Sequence, residues 1–198
     1  MAERGVPLMA RQSLIGYNYS LLGDFPAEPI TPSPDYFTTV LLRKLVGQRM
    51  LDTTPSFGLR QGSSSSRLRA FAYCSAARFT KGSVTISAVN LDESTEMILE
   101  LDSALCGSGS QQQYERYMLE PAWPTTGPDA SAPPRDKVTS RTMLLNGVPL
   151  AVGASGALPA LKGITAQCGN SSKTVQIRLP PLSFAFFVFE DATAASCK

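Results

Sequence analysis

Apolar residues recur at helical spacing in one segment of the chain and alternate with polar residues in most of the rest. The helical segment spans residues 34–46, and its apolar face is formed by Tyr36, Phe37, Val40, Leu41 and Leu45. Ser33 is suited to cap this helix, Pro34 to its first position, and Gly47 to a left-handed C-terminal stop. The pattern therefore predicts one helix at 34–46 that ends at a glycine.

Beyond this helix the period changes to two. The predicted strands are residues 67–74, 83–91, 97–101, 114–119, 142–145, 148–152, 174–179 and 182–189. Short strands separated by Gly, Ser and Pro clusters are typical of an antiparallel β-sandwich. Asn146-Gly147 predicts a tight hairpin. The last strand is so apolar that we expect it to be buried on both faces.

Residues 7–16 indicate a further short, buried strand ahead of a proline-rich loop and the helix. A single strand–helix pair is not stable alone, because the strand needs parallel neighbours and the helix needs a sheet to cover. Residues 53–66 and 121–141 are polar and rich in Pro, Ser or Gly, so we predict surface loops there.

Composition excludes several classes of protein. The chain has 198 residues, of which 43% are hydrophobic, which is enough for one domain and part of another. A net charge of +2 is too mild to indicate nucleic-acid binding, and Arg67-Leu68-Arg69 fits a solvated strand face. No apolar run reaches the roughly 18 residues of a membrane span. The first twelve residues lack the apolar core of a signal peptide.

The chain contains no histidine, which excludes Ser-His-Asp and Cys-His triads and His-ligated zinc. Its four cysteines show no CxxC spacing. A four-cysteine metal site is possible by count but poor by spacing, so disulfides or buried thiols are the favoured alternatives. We therefore predict no metal and no cofactor.

Three stretches resemble a known family. They are MARQSLIGYNYSLL, the PDYFTTVLLRKLVGQRML helix region and the terminal PLSFAFFVFEDATAASC. Together they resemble the C-terminal part of heparanase-like glycoside hydrolases, the endo-β-glucuronidases of glycoside hydrolase family 79, with the plant-type proteins most similar. The resemblance implies a mainly β fold: an antiparallel β-sandwich, residues 47–198, preceded by the last β/α unit of a truncated (β/α)8 TIM barrel, residues 1–46.

The resemblance also implies where the chemistry lies. Retaining glycosidases use two carboxylates about 5–5.5 Å apart. In the family both are glutamates on earlier barrel strands, which this sequence lacks. Asp24, Glu28 and Asp35 are explained by loop and helix-start positions. We therefore assign no catalytic residue and expect the chain alone, without the missing N-terminal barrel portion, to be inactive.

The loop after the last barrel strand is the candidate substrate site. It comprises Gly16, Tyr17, Asn18 and Tyr19. Tyr19 matches the family tyrosine that contacts the sugar, and Asn18 matches the family asparagine. Tyr17 stands where the family usually has glycine, so a side chain occupies the approach of the backbone contact. Packing between barrel and sandwich is the alternative role for Tyr19. The implied partner, in the full-length protein only, is a glucuronic-acid-containing glycan or a glucuronide.

The resemblance further implies a disulfide between Cys74 and Cys197, while Cys106 and Cys168 could form a second bridge or remain free. A disulfide indicates an oxidising compartment. Asn18 and Asn170 lie in glycosylation sequons, and Asn170 is the better candidate because Asn18 would line the site. For the full-length protein we expect a secreted or vacuolar–lysosomal location, with or without membrane association. Since this sequence lacks a signal peptide, we interpret it as a truncated form.

Two hypotheses remain. In the first, the sequence is the C-terminal portion of a β-glucuronidase. In the second, it is a non-catalytic β-sandwich accessory or carbohydrate-contacting module, or an inert gene fragment. In either case we expect Leu14, Ile15, Val40 and Leu41 to form an exposed apolar patch, and a chain starting near Gly47 to behave better.

Overall fold

The structure, a computed structural model, describes residues 13–15, 20–22, 32–52, 57–58, 67–108, 112–122, 140–153, 155–169 and 174–198. Within them a helix, Pro34–Leu45 (α1), leads directly into the strand Val46–Leu51 (β1). Two short 3-10 helices span Ser103–Cys106 and Ala195–Cys197. The remaining strands are Phe57–Gly58 (β2), Leu68–Ser75 (β3), Val84–Asn90 (β4), Met97–Asp102 (β5), Gln113–Pro121 (β6), Met143–Leu145 (β7), Val148–Pro149 (β8), Ile164–Gln167 (β9), Thr174–Leu179 (β10) and Ser183–Phe189 (β11).

These described strands form two antiparallel sheets. The large sheet has the order β1-β3-β4-β11-β6-β7-β8, and β9 also pairs with β6. The small sheet has the order β10-β5-β2. The prediction of a mainly β, antiparallel fold is therefore confirmed, whereas the barrel unit at the N-terminus stays a prediction.

The strand predicted at residues 7–16 is wrong where it can be compared. Residues 13–15 form a bend, in which the Ser13 hydroxyl donates to the Ile15 carbonyl at 2.8 Å. A serine side chain that bonds its own backbone in this way competes with strand pairing. Residues 7–12 and 16 lie outside the described residues.

The strand β11 lies in the middle of the large sheet and is buried on both faces, as predicted. Phe187 and Phe189 belong to the core between the two sheets. Phe186 and Val188 belong to a second core on the opposite face, which α1 covers. All four side chains are at most 1% exposed. Burial of a phenylalanine stabilises the fold by about 1.5–3 kcal/mol, so this strand contributes to both cores.

The helix α1 packs its inner face against the large sheet. Phe37, Leu41 and Leu45 are at most 3% exposed and share a core with Tyr117 and Leu119 of β6. The expected exposed patch is therefore only partly correct. Leu14 and Ile15 are 57% and 45% exposed, and Val40 is half-buried, but Leu41 is fully buried because it faces the sheet. The division of the chain at residue 46 stays a prediction.

The predicted left-handed stop at Gly47 is wrong. The helix ends at Leu45, and Val46 is already extended with φ −101° and ψ 129°. The Leu45 carbonyl accepts hydrogen bonds from the Ala76 N–H at 3.0 Å and the Thr85 hydroxyl at 2.8 Å. Gly47 is needed for another reason: a Cβ there would lie 2.7 Å from the carbonyl oxygens of Cys74 and Ser75. The sheet therefore holds the end of the helix.

The hairpin predicted at Asn146-Gly147 is confirmed. Asn146 and Gly147 have φ of 51° and 81°, as the tight turn between β7 and β8 requires. The Asn146 side chain also accepts from the Met118 N–H at 2.9 Å and donates to the Arg116 carbonyl at 3.2 Å. On β6, pairing with β9 ends at Arg116 and pairing with β7 begins at Leu119, so Asn146 bonds the strand where it changes partner.

Two disulfides stabilise the sandwich. Cys74 is bonded to Cys197 with an S–S distance of 2.06 Å, the pair that the resemblance implies. Cys106 is bonded to Cys168, so both members of the pair left open by the sequence are bonded. The Cys197 carbonyl accepts from the Gly82 N–H at 3.0 Å, which holds the C-terminal end of the chain against the turn before β4.

Candidate functional site

The predicted substrate-binding residues Gly16, Tyr17, Asn18 and Tyr19 lie outside the described residues, and so does the sequon residue Asn170. The segments on either side of the loop are described, and they are bonded to each other. The Leu22 N–H donates to the Leu14 carbonyl at 2.9 Å, and the hydroxyls of Ser13 and Ser20 are 3.1 Å apart. The two ends of the loop are therefore close together.

The far end of this loop is bonded to the start of α1. Both the N–H and the hydroxyl of Ser33 donate to the Leu21 carbonyl, at 2.8 Å and 3.1 Å. The Ser33 hydroxyl also lies within hydrogen-bonding distance of a carboxylate oxygen of Asp35, so that its one proton is shared between the two acceptors. Ser33 occupies the predicted N-cap position, but its side chain caps no backbone N–H of the first turn. It links the candidate loop to the helix instead.

A groove of about 230 Å³ lies at the same end of α1. Pro34 of the helix forms one side, and Leu91, Leu182 and Phe184 contribute apolar surface. No charged residue is among the described residues that line it. Such a surface can contact the apolar face of a sugar ring or an apolar group attached to it.

A second, polar cleft of about 280 Å³ was missed by the sequence reasoning. Glu115, Thr165, Glu190 and Asp191 line it, on the ends of β6, β9 and β11. Nearby, the Tyr117 hydroxyl donates to a Glu115 carboxylate oxygen at 2.7 Å. Burial, together with this bond and the Glu115 charge, raises the pKa of Tyr117 to about 12, so this hydroxyl remains protonated at neutral pH. No regular pattern of polar residues along β6 indicated this cleft in the sequence.

Two described carboxylates have displaced pKa values. Hydrogen bonds from the backbone N–H groups of Ser94 and Thr95 lower the pKa of Asp92, and Arg67 at 3.4 Å adds to this effect. Asp92 thereby stabilises the turn between β4 and β5. Burial raises the pKa of Glu120, which Arg116 partly offsets. Among the described residues, no cluster of His, Cys, Asp and Glu could hold a metal ion.

Comparison with known proteins shows end-to-end similarity to one group. Bovine heparanase is 30% identical over 201 residues, which are 99% of this chain and 31% of that protein. Heparanase-like protein 3 of Arabidopsis thaliana is 30% identical over 94% of this chain and 33% of its own. Human inactive heparanase-2 is 25% identical over the whole chain and 31% of its own. The chain's homologues are heparanases and heparanase-like proteins.

The chain spans about a third of the length of these heparanase relatives. The matches are consistent with a C-terminal heparanase-like part and support a glycoside hydrolase-like family at modest identity. No family model matches the chain. An α-L-arabinofuranosidase from Thermotoga petrophila is 15% identical and covers 62% of this chain and 19% of its own, with a TM-score of 0.32, too low to support any conclusion.

The described residues on either side of the candidate loop are therefore bonded to each other and to the start of α1, where an apolar groove also lies. The roles of residues 16–19 stay predictions. In the described part of the chain, no helix is both long enough and apolar enough to cross a membrane.

Proposed function

We propose that the chain acts as the C-terminal part of a heparanase-like β-glucuronidase, which hydrolyses O-glycosyl bonds of glucuronic-acid-containing glycans or glucuronides. The observation that carries this proposal is the 30% identity to bovine heparanase over 99% of the chain. The antiparallel sandwich with one helix packed on it supports the same assignment. The chain would supply the sandwich and the last β/α unit of a (β/α)8 barrel, and the rest of the barrel would carry the chemistry.

In this proposal Tyr19 contacts the sugar, with Gly16, Tyr17 and Asn18 beside it. The hydrogen bonds that join Leu14 to Leu22 and Ser33 to Leu21 support this role, because they fix both ends of the loop before a ligand arrives. A loop with fixed ends loses less conformational freedom when it binds.

The catalytic acid/base and nucleophile would lie outside this chain. Several described carboxylates have structural partners that account for them: Asp92 and Asp102 accept backbone hydrogen bonds in turns, and Glu115 accepts from Tyr117. We therefore expect the purified chain to show no turnover of 4-nitrophenyl glucuronide. Turnover that disappears when a carboxylate of this chain is replaced would overturn this part of the proposal.

A chimera tests the assignment directly. The segment of bovine heparanase that matches this chain is replaced by the chain, and hydrolysis of a glucuronic-acid-containing oligosaccharide is measured. We expect hydrolysis, and we expect Tyr19→Phe to lower kcat/KM about tenfold if a sugar hydrogen bond is lost. Tyr36→Phe, which removes a hydroxyl from α1, is the matched control and should leave kcat/KM unchanged.

The alternative is a non-catalytic β-sandwich module that contacts carbohydrate or an inert product. It is retained because one relative that matches the whole chain is named inactive heparanase-2. The chimera separates the two possibilities. A folded chimera that binds the oligosaccharide without hydrolysing it would favour the non-catalytic module.

The same proposal places the protein in an oxidising compartment, either outside the cell or in a vacuolar–lysosomal one. The two disulfides support this location, since such bonds persist where thiols are not kept reduced. Non-reducing mass spectrometry of the protein from its native tissue should find both bridges. Free thiols at all four cysteines in that material would count against this location.

A further inference from the structure

A cavity of about 240 Å³ opens at one end of the sandwich, between the large and the small sheet. Ala72, Val84 and Ile86 of the large sheet and Leu101 of the small sheet form its interior. The mouth of the cavity has two rims. Ala104 and Leu105, which follow β5, form one rim, and Ala192 and Ala194, which follow β11, form the other.

Small side chains border much of this space. Ala72, Ala104, Ala192 and Ala194 all line it. Protein interiors are otherwise packed as densely as organic crystals, and apolar atoms that face empty space lose their dispersion contacts. An apolar ligand of matching size would regain these contacts.

Both rims are covalently fixed. Leu105 precedes Cys106, which is bonded to Cys168, and Ala194 lies three residues before Cys197, which is bonded to Cys74. The Ala194 N–H also donates to the Gly82 carbonyl at 2.8 Å. The mouth of the cavity is therefore preorganised, so that binding would require little ordering of the chain.

Among the described residues, the charged ones that line the cavity are both acidic. They are Asp52, which follows β1, and Asp102 at the end of β5. The Asp102 carboxylate accepts from the Ala104 N–H at 2.8 Å, which holds the carboxylate next to the rim. An apolar interior with carboxylates at the mouth matches a ligand with an apolar body and a cationic end.

We propose that this cavity binds a small amphiphilic amine, with its apolar body between the two sheets and its ammonium group beside Asp102. The volume is below the roughly 300–1,000 Å³ that holds drug-sized ligands, which limits the body to about one ring and a short chain. Sugars are a poor match, because the interior offers them apolar side chains. The inference is independent of the glycosidase proposal.

Two-dimensional NMR of the whole, disulfide-bonded chain tests the proposal with 4-phenylbutylamine as the probe. We expect saturable shifts of the amide signals of Ala72, Ile86, Leu101 and Ala194. The carboxylate of the same shape, 4-phenylbutanoate, should bind at least about twofold more weakly, because repulsion between like charges replaces the attraction to Asp102. Equal binding of the two probes, or no saturable shift at these residues, would overturn the proposal.

Two variants make the test specific. Ala104→Trp places an indole over the mouth from an exposed position and should abolish amine binding, whereas Val148→Trp adds an indole far along the chain, at a 65% exposed side chain, and should not. Asp102→Asn keeps the acceptor for the Ala104 N–H and should weaken amine binding about two- to fivefold. Glu93→Gln is the matched charge control and should have no effect. Unchanged binding in Ala104→Trp would place the amine elsewhere and refute the proposal.

Discussion

The two faces of the large sheet are closed by different means. On one face, α1 covers the core by packing and by hydrogen bonds at its C-terminal end, including Thr85 to the Leu45 carbonyl. On the other face, the small sheet covers a larger core, into or against which Cys106, Cys168 and Cys197 pack. The disulfides bridge sequence separations of 123 and 62 residues on that side. We infer that the helix face is the weaker of the two and opens first when the protein is stressed.

The change with the largest expected effect is the removal of residues 1–46. The sequence pattern alone suggested that such a shortened chain would behave better, but Phe37, Leu41 and Leu45 cover one face of the large sheet. We now expect it to aggregate, because that face would be left bare, and we would measure this by light scattering under oxidising conditions. A monodisperse shortened chain with cooperative unfolding would show that the helix face needs no cover.

A smaller change compares neighbouring residues on the helix face. Phe186→Ala should lower the free energy of unfolding by about 3–5 kcal/mol, because the side chain is fully buried beneath α1. Phe184→Ala, on the same face but only partly buried, should cost clearly less. Urea denaturation with intact disulfides measures both. Hydrogen exchange should then accelerate in α1 of Phe186→Ala before it does so in the small sheet.

The disulfides test the other face. Replacing Cys74 and Cys197 by serine should cost about 2–5 kcal/mol, and replacing Cys106 and Cys168 slightly less, because the second loop is half as long. Thermal unfolding of the two double variants, measured side by side, gives the order. If neither variant differs from the parent protein, covalent closure is not what distinguishes the two faces.

The smallest effect concerns Asp92, in the turn by which the chain passes from the large to the small sheet. Its pKa is lowered in the folded protein by the Ser94 and Thr95 N–H groups. Its contribution is therefore complete above the unfolded-state pKa and is lost as the pH falls from about 4 through the folded-state value. Urea denaturation between pH 3 and 7 should show this loss. Asp92→Asn should reduce the dependence, and Glu93→Gln should leave it as it is.

Several elements were predictable because local residues decide them. Pro34 and Asp35 start the helix, Asn146-Gly147 makes the hairpin, and the apolar run of β11 reports burial on both faces. The strands β1, β2 and β9 were not predicted. The strand β2 lies within the predicted surface loop at 53–66 and exists through its pairing with β5. The strands β1 and β9 expose polar residues and depend on their long-range partners β3 and β6.

The candidate site was less predictable than the fold. The resemblance supplied residues 16–19, but the bonds that hold their flanks depend on Ser33, whose side chain was expected to cap the helix. The polar cleft and the cavity between the sheets arise from residues far apart in sequence. No local pattern along β6 or around Ala72 indicates that an open space forms there.

The residue type at Asn146 is constrained by its side-chain hydrogen bonds as well as by the backbone conformation of the turn. Glycine there would satisfy the backbone conformation, and aspartate would still accept from Met118, but neither offers the amide protons that reach Arg116 and Lys162. The amide thus links the β7–β8 hairpin to β6 and to the segment just before β9. Any redesign of this hairpin that replaces Asn146 would remove the bonds to Arg116 and Lys162.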